Sequence, residues 1–208
     1  MKAGKVRKKV LALLLAGTAI LGLTGGGTMQ VEAAGQENAY VDTSSYEQLY
    51  KLYEDYFKLG IACQAMDHWN DPTAEIGNQE KEELINRMFN SMTFGNELKP
   101  AYNFDASSEN LFKVDFAAEE MLEWAKENNM KVRGHVLVWH SQVDPSIFAI
   151  DYQAYADGKL TKSDTAKLDE ECLVDREELL ARLKRYIYGV LEYTYKNGYA
   201  DVIYAWDV

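Results

Sequence analysis

The amino-acid sequence predicts an α/β fold built on a parallel sheet, and two observations predict it. Downstream of residue 35, short apolar runs alternate with longer segments whose apolar residues recur at helical spacing. Repeated strand–helix–strand units favour parallel strands joined by crossover helices. The composition is that of a globular protein, since 47% of the 208 residues are hydrophobic and 26% are charged. Collagen-like, low-complexity and coiled-coil classes are therefore excluded.

Four strands are predicted in the order of the chain, over residues 59–65, 91–98, 131–139 and 201–208. The first is a short run of apolar and small residues, and the last has the apolar content of a buried strand. Pro100 ends the second strand, because proline has no backbone N–H to donate to a neighbouring strand.

Four helices are predicted from the spacing of apolar residues, over residues 44–58, 76–90, 114–128 and 175–196. Asn197 and Gly198 end the last helix, because both residue types readily adopt the left-handed conformation at a helix C-terminus. Residues 141–173 form a long polar connection, and such a connection in a compact domain often belongs to a functional face. With no internal repeat or linker, residues 34–208 are one domain or part of one.

The first 33 residues are predicted to be a secretory signal peptide. A basic stretch at residues 2–9 precedes an apolar run at residues 10–23, and Val31 and Ala33 suit the −3 and −1 positions of a cleavage site. A transmembrane anchor is the alternative, but a membrane-spanning helix needs about 20 apolar residues. We therefore expect a secreted, extracellular protein that has no membrane contact once the signal peptide is cleaved.

The formal net charge of −11 excludes two classes of partner. Cleavage of the signal peptide makes the chain more acidic, because the segment removed is basic. So acidic a protein is repelled by nucleic acid and by anionic membrane surfaces, and we expect neither as a partner. A neutral substrate is compatible with this charge, although the charge does not identify one.

The two cysteines, Cys63 and Cys172, are too few for a disulfide scaffold. Cys63 lies in an apolar run, where a buried free thiol is favoured. A disulfide between Cys63 and Cys172 is the alternative.

The third predicted strand ends in an unusual segment of aromatic and polar residues. Because side chains alternate along a strand, His135 and Trp139 share one face of it and His140 lies on the other. The two histidines therefore cannot share a metal ion, and His68 stands apart, so we expect no metal and no other cofactor. The rings of His135 and Trp139, followed by Gln142, place an aromatic face beside hydrogen-bonding groups and suit a sugar. A hydrogen-bonded core histidine is the alternative for His135.

Polar side chains also follow the second predicted strand, at Asn96, Glu97 and Lys99. A side-chain amide both donates and accepts, and an ammonium group donates three hydrogen bonds, which suits a dense set of sugar hydroxyls. An ordinary solvated turn is the alternative. The nucleophile motif Gly-x-Ser-x-Gly is absent, and spacing alone selects no catalytic pair among the carboxylates.

Three segments, taken together and in order, resemble glycoside hydrolase family 10, the endo-β-1,4-xylanases. They are residues 89–100 (FNSMTFGNELKP), 132–143 (VRGHVLVWHSQV) and 204–208 (YAWDV). The resemblance covers about residues 45–208. It implies a (β/α)₈ TIM barrel with the active site at the C-terminal ends of the strands, and residues 34–208 would contain about the first four βα units. It also implies a secreted enzyme that hydrolyses internal bonds of xylan with retention of configuration, monomeric when complete.

The resemblance also assigns roles to residues. The side chains that it places in the glycone subsites, where they would bind xylan or xylo-oligosaccharide, are Asn96, Lys99, His135, Trp139 and Gln142. His140 is a neighbouring candidate behind them. Two positions depart from the family's pattern. Gly95 stands where many members carry a Glu that contacts the distal xylose, and Ile147 stands where a Trp is often found.

The carboxylates that the resemblance implies for catalysis are not among these residues. The family's acid/base Glu follows the segment that ends here at Val208, and its nucleophilic Glu lies on a later strand. A retaining glycosidase needs both, about 5–5.5 Å apart. We therefore expect a truncated, N-terminal fragment that has no catalytic residue and is itself inactive. Two other classes stay open, a non-catalytic carbohydrate-binding protein or pseudoenzyme, and a structural or complex-forming secreted protein.

Overall fold

The computed structural model describes residue 42 and residues 44–65, 70–151 and 172–208. All of them lie within one structural unit, Tyr40–Val208. The predicted signal peptide, His68 and most of the 141–173 connection lie outside the described residues. None of the helices in the described ranges is long and apolar enough to cross a membrane.

Four parallel strands form one sheet, as the sequence predicts, in the order β1-β2-β3-β4. Their bounds are β1, Gly60–Cys63; β2, Ser91–Phe94; β3, Lys131–Gly134; and β4, Ile203–Trp206. Met92 at the centre of β2 lies opposite Ile61 on one side and Val132 on the other. The register between β3 and β4 shifts at Val132 and Arg133. Each strand therefore pairs with the next one along the chain, which is the arrangement of consecutive βα units.

Helices connect these strands. Helix α1 is Gln79–Met88, α2 is Pro100–Asn103, α3 is Phe116–Glu127 and α4 is Arg176–Lys196. The side chains that cap the N-termini of α1, α3 and α4 by accepting a backbone N–H are Asn78, Asp115 and Asp175. Gly198 follows α4 with a φ of 73°, so the predicted end of this helix is confirmed.

The predicted helix over residues 44–58 is wrong. This segment contains only a 3₁₀ helix, Leu49–Leu52, followed by turns. The guanidinium of Arg87 on α1 donates to the carbonyls of Ser44 and Tyr46, both at 2.6 Å, so these oxygens bind a side chain rather than the N–H groups of a following turn. Tyr56 is 82% exposed, and an isolated helix without a buried face is marginally stable in water.

The predicted third strand is too long, because β3 ends at Gly134 rather than at Trp139. Beyond this end the chain pairs irregularly with the residue that follows β4. Asp207 donates its N–H to the Gly134 carbonyl at 2.9 Å, and Leu137 donates to the Asp207 carbonyl at 3.0 Å. The peptide bond between His135 and Val136 is cis. The second strand is also shorter than predicted, since β2 ends at Phe94 rather than at Leu98. The backbone after it hydrogen-bonds the side chains of Glu97 and Asn103.

Two hydrophobic clusters form the core. The first lies between the sheet and helices α1 and α3 and includes Met92, Val132 and Met121. The second lies under the β3–α4 connection around Tyr186 of α4, whose ring centroid is 6.1 Å from those of Phe104 and Phe112. The two clusters fix the sheet and the loops after β2 and β3 to the helices.

Both cysteines are free, so the expectation of a buried free thiol at Cys63 is confirmed. Cys63 lies at the end of β1 in the first cluster. Burial raises the pKa of the Cys63 thiol to about 12, which keeps it protonated and unreactive at neutral pH.

Replacing Gly134 with alanine is expected to destabilise the fold. A Cβ at this position would lie 2.2 Å from Cε3 of Trp206 on the neighbouring strand, so the Trp206 ring or the strand that carries it would have to shift. We expect Gly134→Ala to lower the free energy of unfolding by about 1–3 kcal/mol, measured by urea denaturation. Gly60→Ala is the control, because a Cβ there meets Ser91 only at 3.5 Å. Equal stabilities of the two variants would contradict this account of the strand contact.

Candidate substrate-binding site

The candidate site lies where β2 and β3 end. In a parallel sheet the carboxyl ends of all strands lie at one edge, and ligands bind there in α/β folds. The loop after β2 carries Asn96 and Lys99, and the loop after β3 carries His135, Trp139 and Gln142. The parallel pairing of the two strands therefore brings both loops to the same edge of the sheet.

Three polar side chains form a closed triangle of hydrogen bonds. The Lys99 ammonium donates to Asn96 Oδ1 at 2.9 Å and to Gln142 Oε1 at 2.6 Å. Gln142 Nε2 donates to Asn96 Oδ1 at 2.9 Å. These hydrogen bonds fix the orientations of the Asn96 and Gln142 amides. The Asn96 NH₂ group has no acceptor within the described part of the chain, so it can donate to a ligand.

The triangle depends on how the loop after β2 is held. Glu97 is 0% exposed, and its carboxyl oxygens accept the N–H groups of Ala65 at 3.0 Å and Asn96 at 2.9 Å. The amide of Asn103 in α2 donates to the carbonyls of Glu97 and Lys99. Glu97 and Asn103 are therefore supports of the loop, and Glu97 does not point toward a substrate.

Lys99 is 6% exposed, so its charge lies in a confined environment. Burial lowers the pKa of the Lys99 ammonium, while the charge of Glu97 opposes that shift. The Lys99 nitrogen also lies 5.0 Å from the centroid of the Trp139 ring, within the range of a cation–π interaction. The ammonium thus joins the polar triangle to an aromatic face.

Trp139 is the centre of the aromatic part of the site. Its ring is 37% exposed, 5.9 Å from the His135 ring and 5.1 Å from the His140 ring, between centroids. The structure therefore brings all five predicted residues together, with His140 beside them. The prediction that His135 and His140 lie on opposite faces of a strand is wrong. Strand β3 ends at Gly134, before either histidine, and the Trp139 ring contacts both of their rings.

Asp207, just after β4, is a site residue that the sequence analysis missed. Its carboxylate accepts from His135 Nδ1 at 3.0 Å and from Arg133 Nη2 at 2.7 Å. Burial acts to raise the pKa of Asp207, but the hydrogen bonds from His135 and Arg133 outweigh it and hold the pKa below 3.8. Since an ionised carboxylate only accepts, His135 carries its proton on Nδ1 and presents Nε2 elsewhere. The signal in the sequence was Arg133, two residues before His135, because an arginine and a histidine on the same side of a strand suit a shared carboxylate.

The loop after β3 is held from below by α4. Arg182, 5% exposed, donates to the carbonyls of Ile147 at 3.0 Å and Ala149 at 2.7 Å, and pairs with Glu178 at 2.7 Å. Ile147 is buried in the second cluster, so its side chain packs in the core. The Gln142 carbonyl accepts the N–H of Ala101 at 2.9 Å, which links this loop to α2.

No three His, Cys, Asp or Glu side chains in the described ranges lie close enough together to hold a metal ion. The chemistry that the arrangement offers is therefore that of its amides, one ammonium group, one oriented imidazole and an aromatic face. This combination suits polyhydroxylated ligands, whose hydroxyls need both donors and acceptors.

Comparison with known proteins agrees with this geometry. The family model for glycosyl hydrolase family 10 matches residues 48–208. This chain belongs to glycosyl hydrolase family 10. Endo-1,4-beta-xylanase B of Butyrivibrio fibrisolvens is 34% identical over 165 residues, which cover 75% of this chain and 22% of that protein.

Solved structures of family 10 enzymes share the fold. The endo-1,4-beta-xylanase of Caldicellulosiruptor owensensis matches with a TM-score of 0.54 and 30% identity, over 78% of this chain and 39% of the other. A mutant of the intracellular xylanase TsXylA of Thermoanaerobacterium saccharolyticum, solved with xylotetraose, matches with a TM-score of 0.56 and 29% identity, over 78% and 43%. This chain thus spans less than half the length of these relatives, and its four-stranded sheet is part of the family's (β/α)₈ barrel.

Asp207 is expected to make stability depend on pH in a specific window. Because its pKa is lowered on folding, its stabilising contribution is present above pH 3.8 and is lost as the pH falls through the lower folded value. Near pH 6 we expect Asp207→Asn to cost about 1 kcal/mol or less. Urea denaturation should show this difference from wild type shrinking towards pH 3. Asp201→Asn, at an exposed position, is the control, and a difference that stays constant with pH would contradict the assignment.

Proposed function

We propose that this chain is part of a secreted endo-1,4-β-xylanase that hydrolyses internal β-1,4-xylosidic bonds of xylan with retention of configuration. The observation that carries the proposal is the contact set of Asn96, Lys99, Gln142 and Trp139 at the C-terminal ends of β2 and β3. That end of a (β/α)₈ barrel is where its enzymes bind substrate. The named relatives are xylanases, and one of them binds xylotetraose.

Each group in the site suits a neutral sugar chain. The Asn96 amide and the Lys99 ammonium offer donors to vicinal hydroxyls, and their mutual hydrogen bonds hold them in place before a ligand arrives. The ring of Trp139 gives an apolar face for the C–H side of a sugar ring. Asp207 fixes His135 so that Nε2 is directed away from the carboxylate. Such pre-organisation reduces the entropy lost on binding.

Neither carboxyl group at the site suits hydrolysis. Retention requires an acid/base and a nucleophile about 5–5.5 Å apart. Glu97 is fully buried and accepts backbone N–H groups, and Asp207 is occupied by Arg133 and His135. We therefore assign sugar binding to this described site and infer that both catalytic carboxylates lie elsewhere in the enzyme.

Secretion is part of the proposal. Xylan is a polymer that must be cut before it can enter a cell, so an extracellular location fits the substrate. The basic and apolar pattern of residues 2–23 supports export.

A non-catalytic xylan-binding protein is a second candidate function. It is favoured by the same observation that both carboxyl groups of the site are already hydrogen-bonded. The two candidates predict the same binding site and differ only in turnover, so binding and hydrolysis are measured separately.

Loss of the Trp139 ring is expected to weaken sugar binding. We expect Trp139→Ala to reduce the affinity for xylohexaose about two- to tenfold, since an aromatic contact contributes about 0.5–1.5 kcal/mol beyond the area that it buries. Isothermal titration of the 208-residue chain measures the change. Tyr195→Ala is the matched control, because this aromatic residue on α4 is 78% exposed and far from the site in sequence. Unchanged affinity of the Trp139 variant would overturn the assignment of the site.

The 208-residue chain is expected to release no xylo-oligosaccharides from xylan. The reason is that no carboxyl group at the described site can act as acid/base or nucleophile. Reducing-sugar assay and chromatography of the products, with an active family 10 xylanase as positive control, measure turnover. Release above the enzyme-free blank would show that a carboxylate within residues 1–208 is catalytic.

A further inference from the structure

The side chain of Gln64 fills the space beside Gly95. Gln64 directly follows β1, and Gly95 directly follows β2. A Cβ built on Gly95 would lie 2.9 Å from Cγ of Gln64 and 3.4 Å from its Cδ and Nε2. Because Cβ atoms do not approach other heavy atoms within 3.0 Å, a side chain at position 95 and the present position of Gln64 exclude each other. Gln64 therefore occupies the volume that a side chain at position 95 would take.

This volume adjoins the sugar-binding site. Gly95 precedes Asn96, a member of the polar triangle. On one side of Gln64, the Gly95 N–H donates to the Cys63 carbonyl at 2.8 Å. On the other side, the Ala65 N–H donates to the Glu97 carboxyl at 3.0 Å. Gln64 thus lies between two contacts that tie the end of β1 to the loop carrying Asn96 and Lys99.

The backbone of Gln64 is fixed, whereas its side-chain amide is available. Its N–H donates to Glu75 Oε2 at 3.1 Å, and its carbonyl accepts the N–H of Ile76 at 3.0 Å. Within the part of the chain that the structure describes, the half-buried side-chain amide makes no hydrogen bond. A side-chain amide can both donate to and accept from a ligand hydroxyl.

The charges around this amide are unusual for so acidic a protein. The carboxyl groups of Glu75 and Glu97 are both engaged with backbone N–H groups. The other polar side chains at this end of the described site are the neutral amides of Gln64 and Asn96 and the cationic ammonium of Lys99. A negatively charged ligand therefore meets no free carboxylate at this end of the described site, although the chain has a net charge of −11.

We propose that Gln64 is a specificity-determining residue whose amide hydrogen-bonds the sugar unit on the Gly95 side of the site. Because this amide is neutral and the Lys99 ammonium is hydrogen-bonded to Asn96, the residue that follows Gly95, a xylose unit carrying a uronic-acid branch is accepted there. The inference rests on the proposed function and deepens it, by naming the substrate class as acid-substituted xylan.

The test compares Gln64→Glu and Gln64→Ala with the wild-type 208-residue chain. The ligands are xylohexaose and a xylo-oligosaccharide that carries a glucuronic-acid branch, and affinity is measured by isothermal titration. Gln64→Glu has the same shape and adds one negative charge. We expect it to keep the affinity for xylohexaose within about threefold and to weaken that for the acidic ligand about tenfold or more. High salt should reduce this difference, because it screens the repulsion. Gln64→Ala should weaken both ligands.

Two controls separate this effect from general changes. Gln79→Glu adds the same charge at an exposed position on α1 and should change neither affinity. Gly95→Ala should disturb binding when Gln64 is present and should be tolerated together with Gln64→Ala, which tests the shared volume directly.

Each outcome decides the matter. If the wild-type chain binds xylohexaose but Gln64→Glu weakens both ligands equally or neither, the role of Gln64 is overturned while the proposed function stands. If the wild-type chain binds neither ligand, the proposed function fails, and the role of Gln64 fails with it.

Discussion

The buried carboxyl group of Glu97 is the interaction on which the site depends. It accepts one N–H from Ala65, two residues after β1, and one from Asn96 in its own loop, so the ends of two strands and the loop between β2 and α2 share one hydrogen-bonded centre. A buried carboxyl group is costly unless it is well hydrogen-bonded, and here its partners are backbone groups that also need acceptors. The position of Lys99, and hence of the polar triangle, follows from this arrangement.

The site is built from supports as much as from ligand-facing groups. Glu97 and Asn103 hold the loop after β2, Asp207 holds His135, and Arg182 holds the turn after Gln142. Each support lies on a different part of the chain: the loop after β2, α2, the end of β4, and α4. The residues that we propose to bind sugar are therefore positioned before a ligand arrives, which reduces the entropy lost on binding.

The sequence allowed the sheet, its parallel sense and helices α1, α3 and α4 to be predicted, because apolar periodicity reports burial directly. The five sugar-binding candidates came from the family resemblance, and the structure brings them together. What failed depended on contacts distant in sequence. Arg87 donates hydrogen bonds to carbonyls of the segment predicted as the first helix. Strand β3 ends at Gly134, and the chain beyond it pairs irregularly with Asp207. Asp207, 72 residues from His135, and Gln64 carry no local pattern that marks them.

The contact between Arg182 and the turn after Gln142 also divides the β3–α4 connection into two parts. The Arg182 guanidinium fixes the carbonyls of Ile147 and Ala149 against α4. The backbone between Gln142 and residue 149 is therefore anchored independently of the residues that follow it. An antiparallel bridge also pairs Ala149 with Leu173. Changes in chain length between these two residues are therefore expected to leave the position of Gln142 unchanged.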